Sequence, residues 1–362
     1  MTRLLSWRDC DWILLSVLVL LATLGVVQIY STTAGTRFAG AHLRQISWVL
    51  LGLGLMIAFC LYDYHNVLNH APWLYLLALV LLIATLVVGS EVGGARRWLR
   101  LGGFSFQASE IAKVVIILLL ARFFGESQIE GVTLADFSKV VAAVGIPTAL
   151  IIVQPDLGTA LTFFPIACIA LFLGGLKLRY FGLLFLAGLL ALPVALHYMK
   201  PYQKARIATF RNPEQDPKKS GYQILQSKIA VGSGQLWGKG TAQGTQTQLR
   251  FLPVPHTDFI FAAYAEEHGF FGVLFALLLY LIAMMRLVQN AQVAPDSAGM
   301  FLIAGVLGVF AFQVLVNVGM VVGYLPVTGI PLPLMSYGGS SVVFTFVAIG
   351  LVNSVRIRRF VN

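Results

Sequence analysis

The chain has 362 residues, 58% of them hydrophobic and 11% charged, with a formal net charge of +10 and a mean hydropathy of +0.83. An ordinary soluble globule carries about 25% charged residues, so this composition excludes one and describes a polytopic membrane protein. The positive balance suits anionic lipid head groups or an anionic ligand, and no nucleic acid is expected as a partner of so apolar a chain. Cys10, Cys60 and Cys168 lie in or beside apolar segments without a CxxC or a metal-type histidine nearby, so they read as small apolar fillers.

Arg3 and Arg8 precede an apolar run from Ile13 to Ile29, longer than a signal-peptide core of roughly 7 to 15 residues, which predicts a retained first span. Further spans are expected at about 45–63, 71–89, 108–124, 138–153, 157–175, 178–198, 268–289, 299–322 and 340–356. Ten spans put both termini on one side. Basic residues of short segments indicate which side that is. Arg3, Arg8, Arg122, Lys139, Lys177, Arg179, Arg286, Arg356, Arg358 and Arg359 share the side of the termini, against Arg37, Arg44, Arg96, Arg97 and Arg100 opposite. Ten against five places the termini in the cytoplasm. The expectation is an all-α integral membrane protein, a single domain over 1–362 with ten transmembrane helices and a large extracytoplasmic loop, 199–267, between spans 7 and 8.

Within the fourth span, Glu110 and Lys113 stand three apart and share a helix face. An unpaired charge there costs at least about 2.5–3.5 kcal/mol, so they either lock two helices as a pair or line a functional cavity. Asp156, after Pro155, reads as a helix N-cap that can also face a cavity. In the long loop, Tyr222, Leu225 and Ile229 recur at helical spacing and predict a short interfacial amphipathic helix. The glycines of 231–240 permit turns and let backbone N–H groups approach a ligand, although the P-loop spacing is missing.

The stretch FLPVPHTDFIFAAYAEEHG (251–269) sets two prolines before Asp258 and an apolar run after it, which predicts a helix beginning there. Asp258 or Thr257 either caps that helix or stands as a functional group at an apolar mouth. Prolines 326, 331 and 333 with Gly329, Gly338 and Gly339 forbid a continuous helix over 323–341, predicting a broken segment that lines a cavity. Ser340 and Ser341 open the last helix, where they cap it or its free N–H groups favour an anion.

Five ordered blocks, GARRWLRLGGFSFQASEIAK (94–113), QPDLGTAL (154–161), GYQILQSKIAVGSGQLWGKG (221–240), FLPVPHTDFIFAAYAEEHG (251–269) and LPVTGIPLPLMSYGGSS (325–341), resemble the SEDS family of shape, elongation, division and sporulation proteins. The wording of the last block is similar to the elongation branch. The resemblance implies a peptidoglycan glycosyltransferase that polymerises lipid II into β-1,4-linked glycan strands at the outer face of the cytoplasmic membrane, for cell elongation and rod shape. It implies a class B penicillin-binding transpeptidase and other elongation-complex membrane proteins as partners. Carried over by motif, Asp258 is the catalytic carboxylate, and Glu110, Lys113 and Asp156 belong to the cavity. Three residues depart from the family wording: Ala108 and Gln235 where proline and glycine are usual, and Val254 where an acidic residue is frequent.

Extending a glycan from a lipid-pyrophosphate donor needs a base for the attacking hydroxyl and cations for the departing pyrophosphate. Asp258 suits the base; Arg206, Arg211 and Lys239 are candidates for pyrophosphate contact, and His256, Thr257 and Ser340 for other substrate contacts. No carboxylate cage for a metal is visible, so no cofactor is expected beyond a divalent ion, magnesium or manganese, bridging the pyrophosphate. Two other classes compete. A flippase for lipid II wants inverted repeats and a midplane site; a scaffold that only recruits the transpeptidase tolerates neutralisation of Asp258.

Overall fold

The computed structural model describes residues 9–92, 95–101, 104–126, 131–183 and 220–360, with residues 186, 190, 204, 208–210 and 213 between the last two stretches. Among the described residues, seven helices are long and apolar enough to cross a membrane: α1 (Trp12–Thr33), α2 (Ala41–Leu61), α4 (Ala71–Val88), α6 (Leu134–Val153), α11 (Ile260–Gln292), α12 (Ser297–Val321) and α13 (Gly339–Ile357). Between them lie α3 (Tyr64–Asn69), α5 (Ala108–Glu126), α7 (Leu157–Leu161), α8 (Phe163–Leu173), α9 (Ser220–Ser233) and α10 (Thr245–Gln248). α12 and α13 run through the middle, where Val306, Phe310, Phe346 and Val352 are buried. Leu50 of α2, Val80 of α4 and Val153 of α6 point outward. Apolar side chains on the outer surface of such a bundle are what lipid requires.

Helix starts follow side-chain caps. Asp11, Thr133, Asp156 and Asp296 each accept from the backbone N–H three residues on, opening α1, α6, α7 and α12. The amphipathic helix expected around Tyr222 is α9. The helices alternate in direction, so α1, α4, α6 and α12 start at the end of the bundle that holds the described ends of the chain, while α2, α5, α11 and α13 start at the opposite, loop end.

One feature departs from the all-α expectation. A small antiparallel sheet forms in the order β1 (Ser90–Val92), β2 (Ala95–Leu101), β3 (Phe104–Phe106), pairing Ser90 with Trp98 and Leu99 with Phe106. Arg96, Arg97 and Arg100 obscure the apolar alternation that would signal strands. The helix expected to begin after Asp258 begins at Ile260 and runs through the span expected at 268–289, and Ile260–Ala265 is apolar throughout and buried in the bundle. The expected span at 178–198 falls largely outside the described residues.

α11 is not continuous. Gly269 breaks it with φ 63° and ψ −163°, which frees two carbonyls before the break and two N–H groups after it. The loop 235–240 takes all four: Phe270 N and Phe271 N donate to the carbonyls of Gln235 and Leu236 (2.8 and 3.2 Å), and Lys239 N and Gly240 N donate to those of Glu266 and Glu267 (3.1 and 2.9 Å). Approach this close needs glycine on both sides. A Cβ on Gly238 would stand 2.2 Å from the Glu267 carbonyl oxygen, and one on Gly269 2.3 Å from Gly238 N. The glycine run therefore seals a helix break, and its N–H groups at 239 and 240 are not offered to a ligand.

At the end opposite the loops, Asp11 is wholly buried and receives Arg286 on both carboxylate oxygens (2.8–3.1 Å), Asn290 Nδ2 (2.9 Å) and, at 3.6 Å, Arg356. This carboxylate joins α1, α11 and α13. Burial works against its charge, but the Arg286 contact and the Leu14 N–H outweigh it and hold its pKa below the ordinary value.

Candidate active site

Asp258 lies in an irregular turn before α11, half-buried. The helix N-cap is Phe259 and no side chain caps it, so neither Asp258 nor Thr257 is a helix cap. The prolines upstream prevent an earlier start, and the turn they leave is held from outside by side chains. Asn317 of α12, fully buried, donates through Nδ2 to the carbonyls of both Asp258 (3.1 Å) and Ile330 (2.8 Å). Ser336 Oγ donates to Thr257 O (2.7 Å), and Tyr337 N to His256 O (2.9 Å).

The broken segment 325–338 thus wraps the Asp258 turn. Gly329, at φ 74°, faces the carboxylate itself: a Cβ there would sit 3.5 Å from Asp258 Oδ2. On the far side of the same turn, a Cβ on Gly158 of α7 would meet Thr328 O at 2.3 Å. Residues 328–330 therefore separate Asp258 from the α7 start that Asp156 caps. The expected break is present, and it brings the Asp156 and Asp258 motifs to opposite faces of one turn. Asn317 Oδ1 and Thr328 Oγ1, both buried here, find no hydrogen-bond partner among the described residues.

Asp156 is both cap and hub. Its Oδ1 accepts from Thr159 N (3.2 Å) and lies 3.7 Å from Arg97 of β2, while Gln107 Nε2 donates to its Oδ2 (3.1 Å). Gln107 N also donates to Ser340 Oγ (3.1 Å), so Ser340 ties the start of α13 to the start of α5. Glu110 and Lys113 pair at 2.8 Å, both buried, beside a cavity of about 40 Å³ that Gln313, Phe310 and Thr345 also line. That volume holds a few waters. Gln313 and Asn317 are four apart on α12, so one helix face serves the ion pair and the Asp258 turn.

Lys239 is directed inward. Its ammonium donates to Glu266 Oε1 (2.8 Å) and Thr245 Oγ1 (2.7 Å), and Glu266, wholly buried, also accepts from Gln246 N, Thr247 N and Thr247 Oγ1. Glu267 accepts from Ser31 Oγ and Gln28 Nε2 of α1. Glu266 thus fixes the 239–247 loop to α11, and Glu267 fixes α11 to α1. The His256 ring is buried between Phe38 (4.7 Å) and Tyr337 (5.9 Å); burial pushes its pKa below the ordinary value, so the ring is neutral at neutral pH. Arg206 and Arg211 lie outside the described residues.

Sequence reasoning passed over Arg97, Gln107, Asn317, Glu266 and Glu267. The signal for Asn317 was present: a polar amide inside an otherwise apolar helix has to be partnered in the bundle interior.

A family model described as a cell cycle protein, of the FtsW, RodA and SpoVE type, matches residues 11–360. The chain belongs to this family. It is the SEDS family that the five motifs resemble. Peptidoglycan glycosyltransferase MrdB of Escherichia coli (strain K12) is 39% identical over 344 residues, covering 95% of this chain and 93% of that protein. Peptidoglycan glycosyltransferase RodA of Treponema pallidum (strain Nichols) is 33% identical, covering 99% of this chain and 100% of its own length. Among solved structures, a chain of a peptidoglycan synthase complex that coordinates polymerization and crosslinking superposes with a TM-score of 0.84 at 33% identity, over 98% of this chain and 99% of that one. As a SEDS protein of this apolar, helical build, the chain is a multi-pass membrane protein.

Proposed function

We propose that this chain is a peptidoglycan glycosyltransferase of the elongation type, polymerising lipid II into β-1,4-linked strands. The observation that carries the reading is the setting of Asp258: a half-buried carboxylate outside any helix, its backbone held by Asn317 and its Oδ2 facing the Gly329 turn. Near-full-length similarity to proteins named peptidoglycan glycosyltransferase supports it.

In this mechanism Asp258 accepts the proton of the attacking sugar 4-hydroxyl as its oxygen bonds to the anomeric carbon. The bond from that carbon to the pyrophosphate oxygen breaks, and the electron pair leaves with the pyrophosphate. Inversion at an α-linked donor gives the β-linkage. Arg206 and Arg211 are the proposed cations for the leaving group, Thr257, His256 and Ser340 hold the surrounding backbone, and Lys239 fixes the loop through Glu266. Among the described residues no three His, Cys, Asp or Glu side chains converge as a metal site. A divalent ion, magnesium or manganese, would be held by the pyrophosphate itself, and no step is routed through it.

We place both termini in the cytoplasm and Asp258 at the outer face, on the ten-to-five basic asymmetry. Ten spans in a single domain over 1–362, with the large outer loop between spans 7 and 8, are part of the same proposal. The proposed partners are lipid II, the growing strand, a class B penicillin-binding transpeptidase and other elongation-complex membrane proteins. The test is a gel assay of lipid II polymerisation by purified protein with its transpeptidase, wild type against Asp258→Asn, with and without chelator. Polymer from the wild type alone supports the reading. Equal polymer from a folded variant removes Asp258 from catalysis, and lipid II crossing proteoliposomes without polymerisation identifies a flippase instead.

A further inference from the structure

The segment that wraps the Asp258 turn carries backbone strain. Leu334, buried, has φ 65°, a left-handed conformation that a branched side chain rarely adopts. Such a conformation persists only where the surroundings impose it. Here three helices do so. A Cβ on Gly25 of α1 would stand 2.6 Å from Met335 Cα, the Tyr280 hydroxyl of α11 donates to Pro333 O (2.7 Å), and α2 supplies Gln45.

Gln45 is wholly buried, although its helix neighbours Leu43, Ile46 and Leu50 face outward. Both ends of its amide are spent on main chain: Nε2 donates to Ser336 O and Oε1 accepts from Gly338 N, each at 3.2 Å. One side chain thus brackets Tyr337. One turn further along α2, a Cβ on Gly339 would meet the Trp48 ring at 2.5–2.7 Å, so α2 also presses on the start of α13.

The bracketed stretch is the one that grips the proposed base. Ser336 Oγ donates to Thr257 O and Tyr337 N to His256 O (2.7 and 2.9 Å), and these are the two residues that precede Asp258. Ser336 Oγ also accepts from Leu332 N (2.9 Å), which fixes the hydroxyl from its own segment. Asn317 of α12 holds the Asp258 carbonyl directly; Gln45 of α2 holds the residues before it through 336–338.

We propose that Gln45 is a positioning residue for Asp258, an amide clamp on α2 that sets the carboxylate through residues 336–338. The proposal rests on the glycosyltransferase reading above and adds that a helix at the outside of the bundle determines where the base stands. It acts by hydrogen bonds and not by volume. A displaced carboxylate leaves the other substrate contacts in place, so turnover suffers more than half-saturation.

The test compares wild type with Gln45→Met in lipid II polymerisation, with thermal unfolding as the check of folding. Gln45→Met keeps the length of the side chain and removes both hydrogen bonds. Its turnover per folded molecule should fall at least about tenfold, as misplacement of a reacting group brings, with half-saturating lipid II within about twofold of wild type. Should Gln45→Met not fold, Gln45→Asn, one methylene shorter, is the milder variant and the same readouts apply. Wild-type turnover in the folded variant, or an equal change in turnover and half-saturation, overturns the proposal.

Amide hydrogen exchange supplies an arm that needs no activity. In the folded variant, peptides covering 332–338 and 256–259 should both exchange at least about tenfold faster than in wild type. Faster exchange confined to 332–338 overturns the link to Asp258. Absence of polymer from wild type defeats the glycosyltransferase reading, whereas the exchange of 256–259 still decides whether Gln45 holds the Asp258 turn.

Discussion

Asp11 and Asp258 are carboxylates at opposite ends of one bundle, and their surroundings differ in kind. Asp11 caps α1 and is enclosed by Arg286 and Asn290 of α11 and Arg356 of α13, so its charge is neutralised by side chains of two other helices. Asp258 is only half-buried, stands in irregular backbone, and is set by hydrogen bonds to its own main chain and its neighbours'. The first arrangement fastens helices whichever way the outer loops move. The second fixes where a carboxylate is while leaving part of its surface open, which is what a base needs and a structural ion pair does not.

Exchanging the two outcomes is the sharpest way to break this contrast. Asp258→Asn should lower lipid II polymerisation by about 10³-fold, within the range for a lost general base, with an unchanged unfolding temperature in detergent. Asp11→Ala should do the reverse. It strands two half-buried arginines and costs about 3 kcal/mol, read as a large fall in unfolding temperature, while activity per folded molecule stays at the wild-type level. The pH dependence follows the same sign. Because the Asp11 pKa is lowered in the fold, its contribution is present above the ordinary carboxylate range near 4 and is lost as pH falls through the folded value. Wild type should therefore lose stability in acid more steeply than Asp11→Ala.

Asn317→Ala lies between these extremes. Losing a donor to two carbonyls should cost about 1–3 kcal/mol, and polymerisation turnover should fall about tenfold more than half-saturation shifts. An equal effect on both would make Asn317 a packing residue only. The smallest expected effect is a gain. Gln235 has φ 50° where the family usually has glycine, so Gln235→Gly should stabilise by about 1 kcal/mol, seen as a rise of a few degrees or less in unfolding temperature.

Some of this was legible in the chain. Glu110, Lys113, Asp156 and Asp258 interrupt apolar runs, and a charge in hydrocarbon declares itself without a structure. The prolines of 325–338 likewise announced a break. What they face was not legible, since Asn317 meets Asp258, Gln107 meets Asp156 and Arg286 meets Asp11 only through tertiary packing of segments far apart in sequence. The glycines of 232–240 show the limit most clearly. Glycine signals that a backbone comes close, but not to what, and here the partner is a helix break and not a ligand.

That break bears on how the protein is made. The N–H groups of Phe270 and Phe271 and the carbonyls of Glu266 and Glu267 find partners in residues 235–240, and unpaired main-chain groups are not tolerated in hydrocarbon. α11 therefore cannot mature as an independent insertion unit. The segment that completes it, residues 235–240, precedes it in the chain and pairs with it on both sides of Gly269. Assembly thus has a built-in order, in which a loop made earlier in the chain completes the helix that follows it.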